Sequence, residues 1–116
     1  MTDWNKVVLQ KANAAVSAGD IEGFLAFCAD GIEWTTVGVG SLHGKEAVRK
    51  WMAKEYVTPP QFTVQSLIGD GDFVVAVGEI TSSAEDGRQI KNAYCDVWRF
   101  DGGKMVELNA FVVEIP

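Results

Sequence analysis

The chain has 116 residues, 47% of them apolar, and its 16 acidic against 10 basic side chains leave a formal charge of −6. That length suffices for one domain, over 1–116, with a core that needs no disulfide or metal staple. The acidic balance excludes the basic stripe of a nucleic-acid binder and any attraction to anionic membrane surfaces.

The start, Met-Thr-Asp-Trp-Asn-Lys, has neither the basic n-region nor the apolar h-region of a signal peptide. No apolar run approaches the roughly 18 residues of a membrane span, so a cytoplasmic protein is expected. Residues 3–17 are helical by period, with Trp4, Val7, Val8, Ala12, Ala15 and Val16 in one stripe. Gly19 ends this helix in the left-handed conformation, and Asp20 caps a second helix carrying Ile21, Phe24, Leu25, Phe27 and Cys28. Asp30-Gly31 breaks it, Ile32 to Val37 reads as a short strand, and Gly38 to Ser41 as a flexible connector. A third helix over 44–55 places Ala47, Val48, Trp51 and Met52 on its apolar side, and Pro59-Pro60 stops it.

From there the pattern is β. Strands fall at about 61–68, 72–83, 88–101 and 104–115, with turns at Asp70-Gly71, Glu85-Asp86-Gly87 and Asp101-Gly102-Gly103. Helices first and a meander afterwards predict an α+β fold, with three helices on one face of a curved antiparallel sheet. The second face is also apolar: Ala93, Cys95 and Val97 on one strand, Met105, Phe111, Val113 and Ile115 on the next. Three helices cover one side only, so a two-fold homodimer through the convex sheet face is expected. Cys28 and Cys95 both lie in apolar patterns and predict buried free thiols in a reducing compartment. His43 is the only histidine, so metal-ligand spacing is missing, and no metal or other cofactor is expected.

The hairpin from Asn92 to Phe111 holds the most informative residue. One face of its first strand reads Asn92, Tyr94, Asp96, Trp98 and Phe100. A carboxylate on an aromatic face needs partners or must pick up a proton. The bland reading of Asp96 is a buried acid hydrogen-bonded to Tyr94, Asn92 or a backbone amide; the functional reading is a pocket acid with a raised pKa.

Four segments, taken in order, resemble the nuclear transport factor 2-like superfamily, which includes ketosteroid isomerases and SnoaL-like polyketide cyclases. They are Ala18-Gly19-Asp20, Phe27-Cys28-Ala29-Asp30, His43-Gly44-Lys45-Glu46-Ala47-Val48 and Asp96 to Lys104. The stretch Ile32 to Gly38, followed by Ser41-Leu42-His43-Gly44, resembles SnoaL-like members most. The resemblance spans nearly the whole chain and implies a cystatin-like α+β barrel whose helices and concave sheet form a cone-shaped pocket for a small apolar molecule. It places Asp96 where ketosteroid isomerases carry an oxyanion-hole aspartic acid, a carboxylic acid held neutral by an apolar site. It places Ala12 at the isomerase's tyrosine and Thr36 at its general base, so the isomerase set is incomplete. The Asp-Arg-Asp set of limonene epoxide hydrolases falls on Glu79, Val77 and Ala110, also incomplete.

The candidate catalytic residues are therefore Asp96, Glu79 and His43. The alignment's parity puts Glu79 on the concave face with Asp96, where two acids would share a proton; outward and solvated is the competing reading. His43 is a base or anchor at the pocket mouth, or a surface residue before a helix. Trp34, Thr36, Trp51, Tyr56, Tyr94 and Trp98 are candidate ligand-binding residues, with core packing and β propensity as the bland alternatives. Three functions stay open: an isomerase- or cyclase-like enzyme on a small carbonyl compound, a non-catalytic ligand-binding or dimeric assembly module, and an epoxide-hydrolase-like enzyme.

Overall fold

The computed structural model describes residues 2–116. In chain order the elements are α1 (Thr2–Ser17), α2 (Ile21–Leu25), β1 (Cys28–Thr36), β2 (Gly40–His43), α3 (Lys45–Glu55), β3 (Gln61–Asp70), β4 (Phe73–Ser83), β5 (Gln89–Asp101) and β6 (Lys104–Glu114). The expected joint between the first two helices is present. Gly19 sits at φ 76°, the left-handed region that a side chain disfavours, and Asp20 then accepts the Gly23 N–H at 2.9 Å. The second helix stops at Leu25, not at Asp30-Gly31, which lie inside β1. Cys28 therefore opens a strand instead of closing a helix. The Gly38–Ser41 connector also becomes structure, because Gly40–His43 folds back on β1 as a short edge strand.

The six strands form one curved, unclosed sheet in the order β2-β1-β6-β5-β4-β3. The meander β3 to β6 is antiparallel throughout, as the turn signals imply, but β1 joins β6 in parallel. That one pairing decides the site. It sets Trp34 beside Leu108 and Thr36 beside Ala110, bringing the N-terminal strand onto the pocket-bearing hairpin.

The helices pack on the concave face. Val8, Leu9 and Ala12 of α1, Phe24 and Leu25 of α2, and Val48 and Met52 of α3 share one buried cluster with Val74, Trp98, Phe100 and Leu108 of the sheet. At about 25 cal/mol per Å² of apolar area, such side chains contribute about 1.5–3 kcal/mol each, and most of the fold's stability sits here. Arg49 on α3 forks onto both carboxylate oxygens of Glu22, at 2.8 and 3.1 Å, holding the five-residue α2 against α3. Met105 departs from strict alternation. An extra residue, Val106, bulges β6 between Glu107 and Met105, and turns Met105 into the core with full burial.

Candidate functional site

The concave face can be read as rows across the strands, because paired residues share a face. The innermost row is Trp34, Leu108, Trp98 and Val74. The next is Thr36, Ala110, Asp96 and Ala76. The third holds Val112, Tyr94 and Gly78, and the outermost Asn92 and Ile80. Between these rows and the helices lies a cavity of about 860 Å³, open at one end.

Its closed end is an aromatic cluster. The Trp34 ring stands 5.7 Å and 90° from Trp98, 5.5 Å from Trp51 and 6.0 Å from Phe24; Trp51 in turn meets Tyr56 at 5.1 Å. All but the tilted Trp34–Trp51 pair are edge-on, and such contacts add about 0.5–1.5 kcal/mol each beyond area burial and fix ring orientation. Among the described residues the Trp34 and Trp98 indole N–H groups donate to no protein acceptor. No sealed side-chain nitrogen or oxygen there lacks a partner, so neither N–H is sealed away, and both side chains line the cavity.

Asp96 lies in the floor beside this cluster. Its strand neighbours on either side are alanines, Ala76 and Ala110, whose small side chains leave a hollow above the carboxyl. Among the described residues no hydrogen bond or cation reaches it, and burial alone pushes its pKa up to about 7. The side chain is partly exposed, but to the cavity that it lines, whose walls are protein on most sides. The hydrogen bonds of the bland reading do not form. Tyr94 donates its hydroxyl to the Thr63 carbonyl at 2.9 Å, and Asn92 donates to Ile80, Ser82 and Ile90. Burial, and then the Asp96 charge, also push the Tyr56 and Tyr94 hydroxyls up to about 12.

Trp34, Thr36, Trp51, Tyr56, Tyr94, Asp96 and Trp98 thus all line one cavity. The other two candidates do not. Glu79 pairs with Ala93, one residue out of phase with Asp96, so it stands on the convex face with its carboxylate 3.5 Å from Lys91. The β4–β5 ladder runs without a register shift, and Glu79 is three residues from Ala76, the partner of Asp96, so strand alternation itself turns it outward and the position implied by the family resemblance does not hold. His43 sits on the edge strand β2, largely exposed, with Nδ1 3.9 Å from Glu33. Thr36 shares the row of Asp96, two strands away, roughly 10 Å at 4.8 Å per strand. Ala12, at the position of the isomerase tyrosine, is fully buried in the core.

The sequence reading passed over Phe62, Glu55 and Asn13, which also line the cavity. Glu55 sits at the mouth and adds to the rise of Tyr56. Phe62 follows Pro59-Pro60 at the start of β3, and only the β3–β4 register turns it inward, opposite Ile80.

Several solved structures share this architecture. A nuclear transport factor 2-like protein of unknown function from Burkholderia pseudomallei superposes with a TM-score of 0.83 at 23% identity, over 92% of this chain and 88% of that one. TerC, crystallised with polyporic acid, gives 0.81 at 20%, over 92% and 89%. An epoxide hydrolase of the LEH-like type from M. tuberculosis gives 0.85 at 13%, over 96% and 84%. These likenesses establish the fold. A search among curated proteins gives no match. Among the described residues no helix is long and apolar enough to cross a membrane. The SnoaL-like domain model matches residues 9–108, from the first buried turn of α1 to the Leu108 beneath the tryptophans, and the chain belongs to the SnoaL-like family of the nuclear transport factor 2-like superfamily.

Proposed function

We propose that the cavity binds a small apolar carbonyl compound and that Asp96 moves a proton to or from it, as in an isomerase or cyclase. One observation carries this reading: an unpartnered carboxyl in an aromatic-walled hollow, with its pKa raised to about 7 by burial. Near neutral pH such a group exists in both forms. The acid donates to a carbonyl oxygen, and the carboxylate accepts a proton from the adjacent carbon. Trp34 and Trp98 offer further N–H donors to developing negative charge. The chemistry differs from that of ketosteroid isomerase, because Ala12 and Thr36 supply neither the tyrosine nor the second carboxylate.

The test is hydrogen exchange. Enolisable aromatic ketones are incubated with the protein in heavy water, and deuterium at the α-carbon is followed by NMR. Wild type should accelerate exchange, and Asp96→Asn should lose at least tenfold of that acceleration. Equal rates for the two proteins remove the catalytic reading and leave a ligand-binding module. The row of Asp96 holds no other acid, and Glu55 stands at the mouth of the cavity; both points favour that alternative. An epoxide-hydrolase role is the weakest of the three, since Glu79 lies on the outer face.

A homodimer through the convex face belongs to the same proposal. Ile68, Phe73, Phe111 and Val113 are exposed there, around Val75, Val77, Cys95 and Val97. The helices leave this apolar face bare, and a second copy of the chain is the occupant that covers it symmetrically.

A further inference from the structure

Three polar residues follow one another at two-residue steps along β5, and each offers a ligand something different. Asn92 is 8% exposed, and its Nδ2 donates to the carbonyls of Ile80 at 3.2 Å and Ile90 at 3.4 Å, and to Ser82 Oγ at 3.1 Å. The two carbonyls fix the orientation of the amide, because only its nitrogen carries protons for them. Oδ1 then takes no proton from the protein, and it is not sealed away, since among the described residues no sealed side-chain oxygen is without a partner. It is an accessible acceptor on a side chain that lines the cavity. Tyr94, the next step inward, has already given its hydroxyl proton to Thr63. Asp96, the innermost, has no partner among the described residues and donates in its acid form.

We propose that Asn92 is a specificity-determining residue, and that the site takes a flat apolar molecule with a carbonyl at the Asp96 end and a hydroxyl or N–H donor at the Asn92 end. The inference rests on the reading of Asp96 as the donor to a carbonyl. Four residues of strand separate the two groups, roughly 13 Å at 3.3 Å per residue. Two hydrogen bonds of about 2.8 Å leave roughly 8 Å between the polar atoms of the ligand, the span of two fused rings. Trp51, Tyr56 and Phe62 give that span aromatic walls. A ligand without the outer donor would strip water from Oδ1 and return nothing, and this penalty makes the discrimination large. Ser82, Ser83 and Gln89 at the rim are exposed and keep their water, so they do not relieve it.

The test uses three probes in fluorescence titrations at about pH 6: 6-acetyl-2-naphthol, the isosteric 6-acetyl-2-fluoronaphthalene, which lacks the donor, and 6-ethyl-2-naphthol, which lacks the carbonyl. The naphthol ketone should bind at least tenfold tighter than its fluoro counterpart. Asn92→Leu should reduce that ratio below threefold, with the fluoro compound binding more tightly than it does to wild type because it no longer strips water from Oδ1. Should the variant fold poorly, the side-chain amide signal of Asn92 in the wild type serves instead. It should shift with the naphthol ketone well beyond its shift with the fluoro compound. Equal affinities of these two ketones for wild type overturn the inference, as does a preference that survives Asn92→Leu, or no saturable binding by any probe. If 6-ethyl-2-naphthol binds as tightly as the ketone, the role of Asp96 falls, while the naphthol-to-fluoro ratio still decides that of Asn92.

Discussion

Asp96 and Ala110 face each other across the β5–β6 ladder, and the methyl group of the alanine is what keeps the carboxyl uncovered. A large residue there would fill the hollow from the floor. Ala110→Phe should therefore abolish ligand-induced thermal stabilisation while changing unfolding free energy by no more than about 1 kcal/mol, because the ring enters existing space. Denaturant unfolding beside a thermal-shift series checks both halves. A loss of several kcal/mol would mean that the hollow is already packed.

The raised pKa of Asp96 makes stability depend on pH. Its folded value of about 7 lies above the ordinary aspartate value of 3.8, so the folded state binds the proton more tightly than the unfolded chain. The stabilisation is fully present below the unfolded value and is lost as pH rises through about 7. Asp96→Asn, which cannot ionise, should match wild type near pH 4 and exceed it at pH 8.5 by on the order of 2 kcal/mol, discounted for water in the cavity. Urea melts at the two pH values test this, and a difference independent of pH would place the carboxylate in a solvated setting.

Gly78 is required by close approach. A Cβ there would lie 1.8 Å from the Thr63 carbonyl oxygen and 3.0 Å from the Tyr94 hydroxyl. Next to this point Gln65 bulges β3, where the register shifts between Val64 and Ser66. Gly78→Ala must push the strands apart and break the Tyr94–Thr63 bond, at a cost of about 2–4 kcal/mol. Tyr94→Phe, which removes only the bond, should cost about 1 kcal/mol. Thermal unfolding of the two variants measures the difference.

Cys28 is buried beneath α2, its thiol directed at the Phe24 carbonyl at 3.8 Å, and burial pushes its pKa up to about 12. The thiolate is the reactive form, so Cys28 should resist iodoacetamide in the native protein at pH 8 and react only on unfolding. Mass spectrometry of peptides labelled with and without denaturant reports this directly. Rapid native labelling at Cys28 would show that α2 opens readily.

The proposed dimer has its own variant. Phe111 is 44% exposed in the middle of the convex face, opposite Cys95. Phe111→Arg should leave the fold intact and shift the sedimentation coefficient from dimer to monomer, since a guanidinium at the centre of a two-fold interface meets its own copy. A wild type that sediments as a monomer at tens of micromolar would remove the dimer.

Local chemistry carried much of the architecture. The helical period of residues 3–17, the Gly19-Asp20 joint, the Pro59-Pro60 stop and the glycine turns between strands are short-range signals, and each appears where its residues stand. The alternation of β5 alone grouped Tyr94, Asp96 and Trp98 on one face, because side-chain direction along an uninterrupted strand has a period of two. What the chain could not declare in isolation was pairing. The parallel contact of β1 with β6 and the bulges at Gln65 and Val106 are set by which surfaces bury together, and they put Thr36 level with Asp96 and Met105 in the core. Glu79 shows the consequence. The β4–β5 register turns it to the outer face, so only the assembled sheet shows that Asp96 shares its row with no second acid.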